Sequence, residues 1–136
     1  MSTDDPVHVV RRYIEAFNSG DVEAMAACFA ASGAILDGMA PHLWFGPSAV
    51  RDWYRDVLVE GRHLNASGYH VTLGEPSHAN VTGEAAYVVL PAEMRFRLGD
   101  AAVTQTGAVF TTALQRSAGG WRIVAWAWAK GRSAAG

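Results

Sequence analysis

The order of hydrophobic patterns along the 136 residues predicts an α+β fold. Apolar residues in the first half recur at the spacing of amphipathic helices, whereas those in the second half alternate as in antiparallel strands. Half of the residues are hydrophobic, which is enough to build one buried core. We therefore predict three N-terminal helices packed on a strongly curved, mostly antiparallel sheet, since curling lets the sheet bury its apolar face against the helices.

Capping signals set the bounds of the first two helices. Asp4 or Asp5 can cap the first helix, which has Pro6 in its first turn. The Asn-Ser-Gly-Asp sequence at 18–21 ends that helix, and its last residue, an aspartate, caps a second helix over Val22–Ala30. Both predictions depend on side chains that accept hydrogen bonds from the free backbone N–H groups of a helix N-terminus.

A short strand and a third helix follow. The strand covers 33–37 and ends in an Asp-Gly turn, after which 39–46 is predicted to be a loop. Pro47 starts the third helix. Its apolar side chains fall on one side of the helix and are Val50, Trp53, Tyr54, Val57 and Leu58.

The second half is predicted to contain four strands separated by turns. Pro91 interrupts the second of them and indicates a bulge or an edge. Residues 131–136 are predicted to form a flexible tail, so that 1–130 make a single domain. The four strands are Tyr69–Leu73, Glu84–Leu98, Val103–Arg116 and Trp121–Lys130.

Composition narrows the classes of function. The net charge is −2 without a basic tract, which argues against nucleic acid or a membrane surface as a partner. The absence of a signal peptide and of an apolar run long enough to span a bilayer favours a cytoplasmic location. Cys28 is alone, so no internal disulfide forms, and it is expected to be a buried, inert thiol. No spacing typical of metal ligands or of a phosphate-binding loop occurs, so we expect no metal or other cofactor.

Three segments resemble a known superfamily. Val9–Asp21 and Gly46–Tyr54 resemble the first and third helices of bacterial ketosteroid isomerases and SnoaL-like polyketide cyclases. Gly119–Val124 resembles the last hairpin of the wider superfamily, which is like nuclear transport factor 2 (NTF2-like). The resemblance implies a cone-shaped α+β barrel that encloses an apolar pocket between its helices and its sheet. It implies less about the reaction, because enzymes, binding proteins and association domains share this fold.

The resemblance to ketosteroid isomerases implies a catalytic set. In that family a tyrosine on the first helix donates to the developing enolate oxygen, an aspartate after the first strand moves the proton, and a second tyrosine supports the first. Alignment without a gap places Tyr13, Asp37 and Tyr54 at these positions. Removing a proton beside a carbonyl requires such a base near the carbon and such a donor near the oxygen.

One member of the isomerase set is missing. The family has a second oxyanion donor, a protonated aspartic acid on the penultimate strand. The corresponding stretch, 106–113, contains no acid, and Phe110 or a threonine is expected at that position. Because losing one such donor typically costs about 10²–10³ in rate, the departure argues against steroid isomerisation itself.

The pocket wall is expected to be aromatic. His42 and Trp44 follow Asp37 in a loop at the predicted pocket mouth. On the last strand Trp126 and Trp128 are expected to face inward. The opposite face of that strand (Ile123, Ala125, Ala127 and Ala129) is also apolar and is predicted to form a homodimer interface on the outside of the sheet. The predicted substrate-binding residues are Phe17, His42, Trp44, Trp53, Met94, Phe96, Phe110, Trp126 and Trp128.

These observations favour a cofactor-free enzyme. It would carry out acid/base proton transfer (isomerisation, aldol-type cyclisation or dehydration) on an apolar carbonyl compound such as a polyketide or a steroid, as an isomerase, cyclase or lyase. Two alternatives stay open on the sequence. The domain is a non-catalytic binder of a hydrophobic small molecule, or it is an NTF2-like domain for protein association.

Overall fold

A computed structural model describes residues 5–135 as three helices and eight strands. None of these helices is long and apolar enough to cross a membrane. The elements in chain order are α1 (Pro6–Ser19), α2 (Val22–Ala27), β1 (Phe29–Leu36), β2 (Leu43–Phe45), α3 (Ala49–Leu64), β3 (Ala66–Leu73), β4 (His78–Thr82), β5 (Ala85–Leu98), β6 (Ala101–Ser117), β7 (Gly120–Ala129) and β8 (Arg132–Ala135).

The eight strands form one curved, mixed sheet. Its main order is β2-β1-β7-β6-β5-β3, with β4 added to β5 and β8 added to β6. Only β1 and β7 pair in parallel, and every other pair is antiparallel. The helices pack on the concave face, which confirms the predicted α+β class. The edge strands β2 and β3 do not pair with each other, so the sheet is not closed into a barrel.

The caps of the first two helices are as predicted. The Asp5 side chain accepts a hydrogen bond from a backbone N–H in the first turn of α1, and Asp21 does the same for α2. Gly20 ends α1 in the left-handed conformation with φ 69°, where a residue with a side chain would be strained. Asp4, the other predicted cap, lies outside the described residues. These ends depend on local chemistry alone, which is why the sequence predicts them.

The second helix is shorter than its hydrophobic pattern predicts. It ends at Ala27, and the chain enters β1 at Phe29 instead of remaining helical to Ala30. The carbonyl oxygen of Cys28 accepts a hydrogen bond of 2.8 Å from the backbone N–H of Ile123 in β7. Pairing with a strand almost a hundred residues away therefore overrides the local helical preference.

Two further differences concern β2 and α3. The predicted loop 39–46 contains β2, a strand of three residues that pairs with β1. The third helix begins at Ala49, two residues after Pro47. Val50 and Trp53 are buried on its inner side as predicted, but Leu58 is 43% exposed. The buried stripe is therefore narrower than predicted.

Pro91 marks a break between two partner strands of β5. Residues 85–89 of β5 pair with β4, a strand that was not predicted, and 92–98 pair with β3. Pro91 lies between these two stretches. No partner strand faces it on that side of β5, so the N–H group that proline lacks is not needed for a ladder hydrogen bond. The predicted edge is confirmed locally, because Pro91 pairs with β6 on one side and with neither β4 nor β3 on the other. The predicted bulge lies further along the strand, between Ala92 and Met94.

A second register shift changes which β7 residues face the core. The shift lies between β6 residues Ala113 and Leu114, whose partners in β7 are Ala125 and Ile123. Ile123 is therefore fully buried with the core, and the prediction that it shares the outer face with the alanines is wrong. Trp126 faces inward as predicted. The homodimer through the outer face stays a prediction.

The C-terminal segment forms a strand where a flexible tail was predicted. Residues 132–135 make β8, which pairs with 103–106 of β6. Gln105 reinforces this attachment, since its side-chain oxygen accepts a hydrogen bond of 3.2 Å from the N–H of Gly131. The β7 strand covers only 109–117 of β6, and β8 fills the edge that this leaves unpaired. Gly136 lies outside the described residues.

Candidate active site

A cavity of about 210 Å³ lies between α1, α3 and the concave face of the sheet. Cavities for drug-sized ligands span about 300–1,000 Å³, so this cavity suits a smaller molecule. Its mouth is open to solvent beside Leu64, which is 58% exposed, and Lys130. The wall is mainly apolar and is formed by Tyr13, Ile14, Phe17, Asp37, Met39, Trp53, Val57, Glu60, Leu64, Ala66, Tyr69, Val71, Met94, Phe96, Gln105, Phe110, Trp126, Trp128 and Lys130.

Asp37 brings a carboxylate into this wall. It follows β1 and is two residues beyond the fully buried Ile35, so the alternation of a strand directs both side chains inward. The indole N–H of Trp53 donates a hydrogen bond of 2.8 Å to the Oδ2 atom of Asp37. The backbone N–H of Asp37 donates to the carbonyl oxygen of His42 at 3.2 Å, which closes the loop behind it. The carboxylate is thus held in one orientation, with Oδ1 left to accept a proton.

Tyr13 supplies a buried phenol to the same cavity. Its side chain is 1% exposed, and its oxygen accepts a hydrogen bond of 3.0 Å from the indole N–H of Trp126. Burial raises the pKa of Tyr13 far above its usual value, and the hydrogen bond from Trp126 lowers it in part. The negative charges that Cys28 and Asp37 carry when they are ionised raise it further. Tyr13 therefore stays a neutral phenol, and its proton remains available for donation because Trp126 occupies only the oxygen.

The structure does not bring Tyr54 to this site. Tyr54 lines a second groove, between the end of α1, α3 and the start of β3. Its hydroxyl lies against Gly20, where an added Cβ would be 3.3 Å from the hydroxyl oxygen. The supporting contact with the Tyr13 oxygen, which the resemblance assigned to Tyr54, is made by Trp126 instead.

Seven of the nine predicted substrate-binding residues line the cavity. His42 and Trp44 do not. His42 is exposed, and its ring Nδ1 lies 3.1 Å from the backbone oxygen of Asp37. Trp44 is buried, and its indole donates a hydrogen bond of 2.9 Å to Asp56 on α3. The residues that do line it are Phe17, Trp53, Met94, Phe96, Phe110, Trp126 and Trp128.

Phe110 occupies the region expected for a second oxyanion donor. Its ring stacks on Tyr13 with the centroids 6.4 Å apart and packs against Trp126 at 5.2 Å. The buried hydroxyl of Thr112 donates to the backbone oxygen of Val88 at 2.9 Å and is not free for a ligand. The phenol of Tyr13 is thus the neutral hydroxyl donor at this end of the cavity.

The sequence prediction missed four polar residues of the wall: Glu60, Tyr69, Gln105 and Lys130. Helical spacing signals the first, since it is seven residues beyond Trp53 on α3. Whether the other three line the cavity depends on how the strands pack in three dimensions, which the sequence pattern does not show. No histidine of residues 5–135 lines the cavity, and no group of three His, Cys, Asp or Glu side chains in that part of the chain is arranged to hold a metal ion.

High pH should destabilise the protein through Tyr13. The unfolded chain loses this proton above a pH of about 10, whereas burial makes the folded chain keep it. The free energy of unfolding is therefore unaffected by Tyr13 below pH ~10 and falls as the pH rises above it, by at most about 1.4 kcal/mol per pH unit. Urea denaturation at a series of alkaline pH values measures this slope.

Two variants separate Tyr13 from the other groups. Tyr13→Phe should flatten the slope, whereas Tyr87→Phe should not, since Tyr87 is 49% exposed. Burial also raises the pKa values of Cys28 and Tyr69, so a smaller slope should persist in Tyr13→Phe. Equal slopes in the two variants would contradict the assignment.

Comparison with known proteins gives a match over most of the chain. Residues 7–128 match the sequence model of the SnoaL-like domain. No protein of curated function shows a significant match to the sequence.

Solved structures are similar in fold. LinA-type3 hexachlorocyclohexane dehydrochlorinase from Novosphingobium barchaimii LL02 has a TM-score of 0.79, with 10% identity over 96% of this chain and 87% of its own. A candidate dehydratase of the NTF2-like family from Streptomyces avermitilis has a TM-score of 0.73, with 18% identity over 91% of each chain. An NTF2-like protein of unknown function from Pseudomonas putida KT2440 has a TM-score of 0.69, with 16% identity over 90% of this chain and 82% of its own.

Proposed function

Since the chain belongs to the SnoaL-like domain family, we propose that it is an acid/base enzyme that moves a proton beside the carbonyl group of a small apolar compound. The observation that carries the proposal is a pair of groups in one apolar cavity. Asp37 is a carboxylate fixed by Trp53, and Tyr13 is a neutral phenol whose oxygen is already occupied by Trp126. One group is a base and the other is a donor.

The pair accounts for one elementary step. Oδ1 of Asp37 takes a proton from the carbon next to the carbonyl, and the electrons of the broken C–H bond move into a carbon–carbon double bond. The carbonyl oxygen gains negative charge, which the O–H of Tyr13 stabilises by a hydrogen bond. Trp126 strengthens this donation because its N–H withdraws charge from the phenol oxygen. Return of the proton to another carbon completes an isomerisation.

The same step begins an elimination. If the carbon beyond the enolate carries a hydroxyl or halide, collapse of the enolate expels that group, and the reaction is a dehydration or a dehydrohalogenation. The names of two structural relatives, a dehydrochlorinase and a candidate dehydratase, describe eliminations. Since hexachlorocyclohexane has no carbonyl group, what its elimination shares with the proposed reaction is the removal of a proton from carbon by a base. The SnoaL-like family suggests a polyketide as the class of substrate, and the cavity of about 210 Å³ favours a fragment of one or two rings over a full steroid.

Hydrogen–deuterium exchange into 1-tetralone, a bicyclic ketone, tests the proposal without knowledge of the natural substrate. In D₂O the protein should accelerate the replacement of the two C2 protons in proportion to its concentration, as followed by proton NMR. Binding is measured separately through quenching of tryptophan fluorescence, since Trp53, Trp126 and Trp128 line the cavity. Binding of 1-tetralone without faster exchange would contradict catalysis and favour the non-catalytic binder.

A further inference from the structure

A second polar pair lies in the cavity away from Asp37. Glu60 on α3 and Tyr69 on β3 both line the wall, and the charge of Glu60, after burial, contributes to a raised pKa of the Tyr69 phenol. Both belong to the same region of the wall, since the Tyr69 hydroxyl lies against Gly61, the residue next to Glu60 on α3. The proposed proton transfer uses neither of them.

The helix places this pair at a defined distance from the reaction end. Trp53, which holds Asp37, and Glu60 are seven residues apart on α3, so they share a face and lie about 10 Å apart along the helix axis. Val57, between them in sequence, lines the same cavity. The cavity thus has a polar group near each end and an apolar wall between them.

Neither member of the pair has a hydrogen-bond or ion-pair partner among residues 5–135. Within the described part of the chain, Glu60 and Tyr69 form no hydrogen bond or ion pair, and Tyr69 instead packs its ring against Phe96 with the centroids 5.7 Å apart. The Tyr69 hydroxyl fits against Gly61, where an added Cβ would lie 3.3 Å from it. A half-buried carboxylate and phenol without partners are suited to a ligand that supplies the missing hydrogen bonds.

We propose that Glu60 and Tyr69 recognise a hydroxyl group at the end of the substrate remote from its carbonyl. A hydroxyl matches the pair because it donates one hydrogen bond to the Glu60 carboxylate and accepts one from the Tyr69 phenol. The substrate class is then a small hydroxylated ketone, such as a phenolic bicyclic ketone, and not a purely apolar one. The orientation of this ligand rests on the proposed function, which places the carbonyl at Tyr13.

Two matched ligands test the proposal through binding alone. 6-Hydroxy-1-tetralone differs from 1-tetralone by one hydroxyl on the ring far from the carbonyl. Hydrogen bonds that involve a charged group contribute about 1.5–3 kcal/mol, which corresponds to roughly 10–100-fold in affinity. The native protein should therefore bind 6-hydroxy-1-tetralone at least ~10-fold more tightly than 1-tetralone. Fluorescence titrations measure this at a pH where the phenolic hydroxyl of the ligand is neutral.

Variants identify the side chains that bind the hydroxyl group of the ligand. Glu60→Leu should bring the ratio of the two dissociation constants close to one, and Tyr69→Phe should lower it by a smaller factor. Glu15→Leu, a change at an exposed glutamate on α1, is the control and should keep the native ratio. If Glu60→Leu does not fold, Glu60→Gln should lower the ratio while preserving size.

The outcomes separate this inference from the proposed function. A ratio near one in the native protein, or an unchanged ratio in the Glu60 variant, would overturn the inference and indicate a merely solvated pair. Neither result depends on turnover. Deuterium exchange into 1-tetralone, which has no hydroxyl, tests the catalytic proposal independently.

Discussion

Replacing Asp37 by asparagine is expected to lower the rate of deuterium exchange into 1-tetralone by about 10²–10⁴-fold, the usual contribution of a general base. The amide oxygen of asparagine still accepts the indole N–H of Trp53, so the side chain keeps its orientation. It cannot take up a proton from carbon. The loss should appear in the exchange rate at saturating ketone, with a small effect on the affinity for 1-tetralone.

The chain contains a matched control for this variant. Asp56 accepts a hydrogen bond of 2.9 Å from the indole N–H of Trp44, the same kind of contact as that between Asp37 and Trp53, but it does not line the cavity. Both Asp56→Asn and Asp37→Asn should lower the free energy of unfolding by about 1 kcal/mol, because a neutral amide oxygen accepts a weaker hydrogen bond than a carboxylate. Asp56→Asn should leave the exchange rate unchanged. An undiminished rate in Asp37→Asn, or equal losses of rate in both variants, would rule out Asp37 as the base.

Replacing Tyr13 by phenylalanine is expected to lower the exchange rate by about 10²–10³-fold, because the O–H that stabilises the enolate oxygen is lost. The variant should also be less stable by about 1–3 kcal/mol, since the buried N–H of Trp126 loses its acceptor. Steady-state exchange rates and urea denaturation below pH ~10, where the native phenol is neutral in both states, measure the two effects.

Tyr54→Phe provides the comparison. The resemblance to ketosteroid isomerases assigns Tyr54 the support of Tyr13, whereas the structure places its hydroxyl beside Gly20 in a different groove. Removal of that hydroxyl should therefore leave the exchange rate within about twofold of the native value. The ring of Tyr54, which packs on Phe17 and Trp53 in the cavity wall, is kept in this variant, and the hydroxyl that is lost lies beside Gly20. A loss comparable to that of Tyr13→Phe would show that Tyr54 acts in the reaction after all.

The open cavity also bears on the third hypothesis, a domain for protein association. A sealed pocket combined with a large exposed apolar sheet face would support that hypothesis over the other two. The cavity has its mouth beside Leu64 and contains a carboxylate and a phenol at one end. These features favour a small-molecule site. They leave the outer face of the sheet, where Val109 and Tyr87 are exposed, as the predicted homodimer surface.

Local sequence signals were sufficient for the features that depend on neighbours in the chain. The caps at Asp5 and Asp21 and the helix end at Gly20 follow from side-chain and backbone chemistry within a few residues. The inward direction of Asp37 follows from strand alternation after Ile35, and that of Tyr13 from helical spacing. The SnoaL-like resemblance carried by these helices is confirmed by the family match.

Features that depend on distant residues required the tertiary structure. The shortened α2 and the strand β8 result from pairing with strands far away in sequence, which a local pattern does not encode. The strands β2 and β4 and the inward turn of Ile123 depend instead on hairpin pairing and on a register shift between neighbouring strands, which the hydrophobic pattern does not encode either. The hydrogen-bond partner of a catalytic candidate likewise depends on distant residues. Tyr13 and Trp126 are 113 residues apart, yet their hydrogen bond, and not one from Tyr54, completes the phenol site.

The polar pair at Glu60 and Tyr69 lies between these two cases. Helical spacing alone puts Glu60 on the face of Trp53, but only the packing of β3 beside α3 brings Tyr69 into the same cavity wall. Residue types and periodicity thus decide which side chains point inward wherever the element is regular, because direction is then a property of the local backbone. A register shift overrides them, as it does at Ile123. Which inward side chains meet is decided by strand register and packing, because a contact requires two distant segments to arrive at the same place.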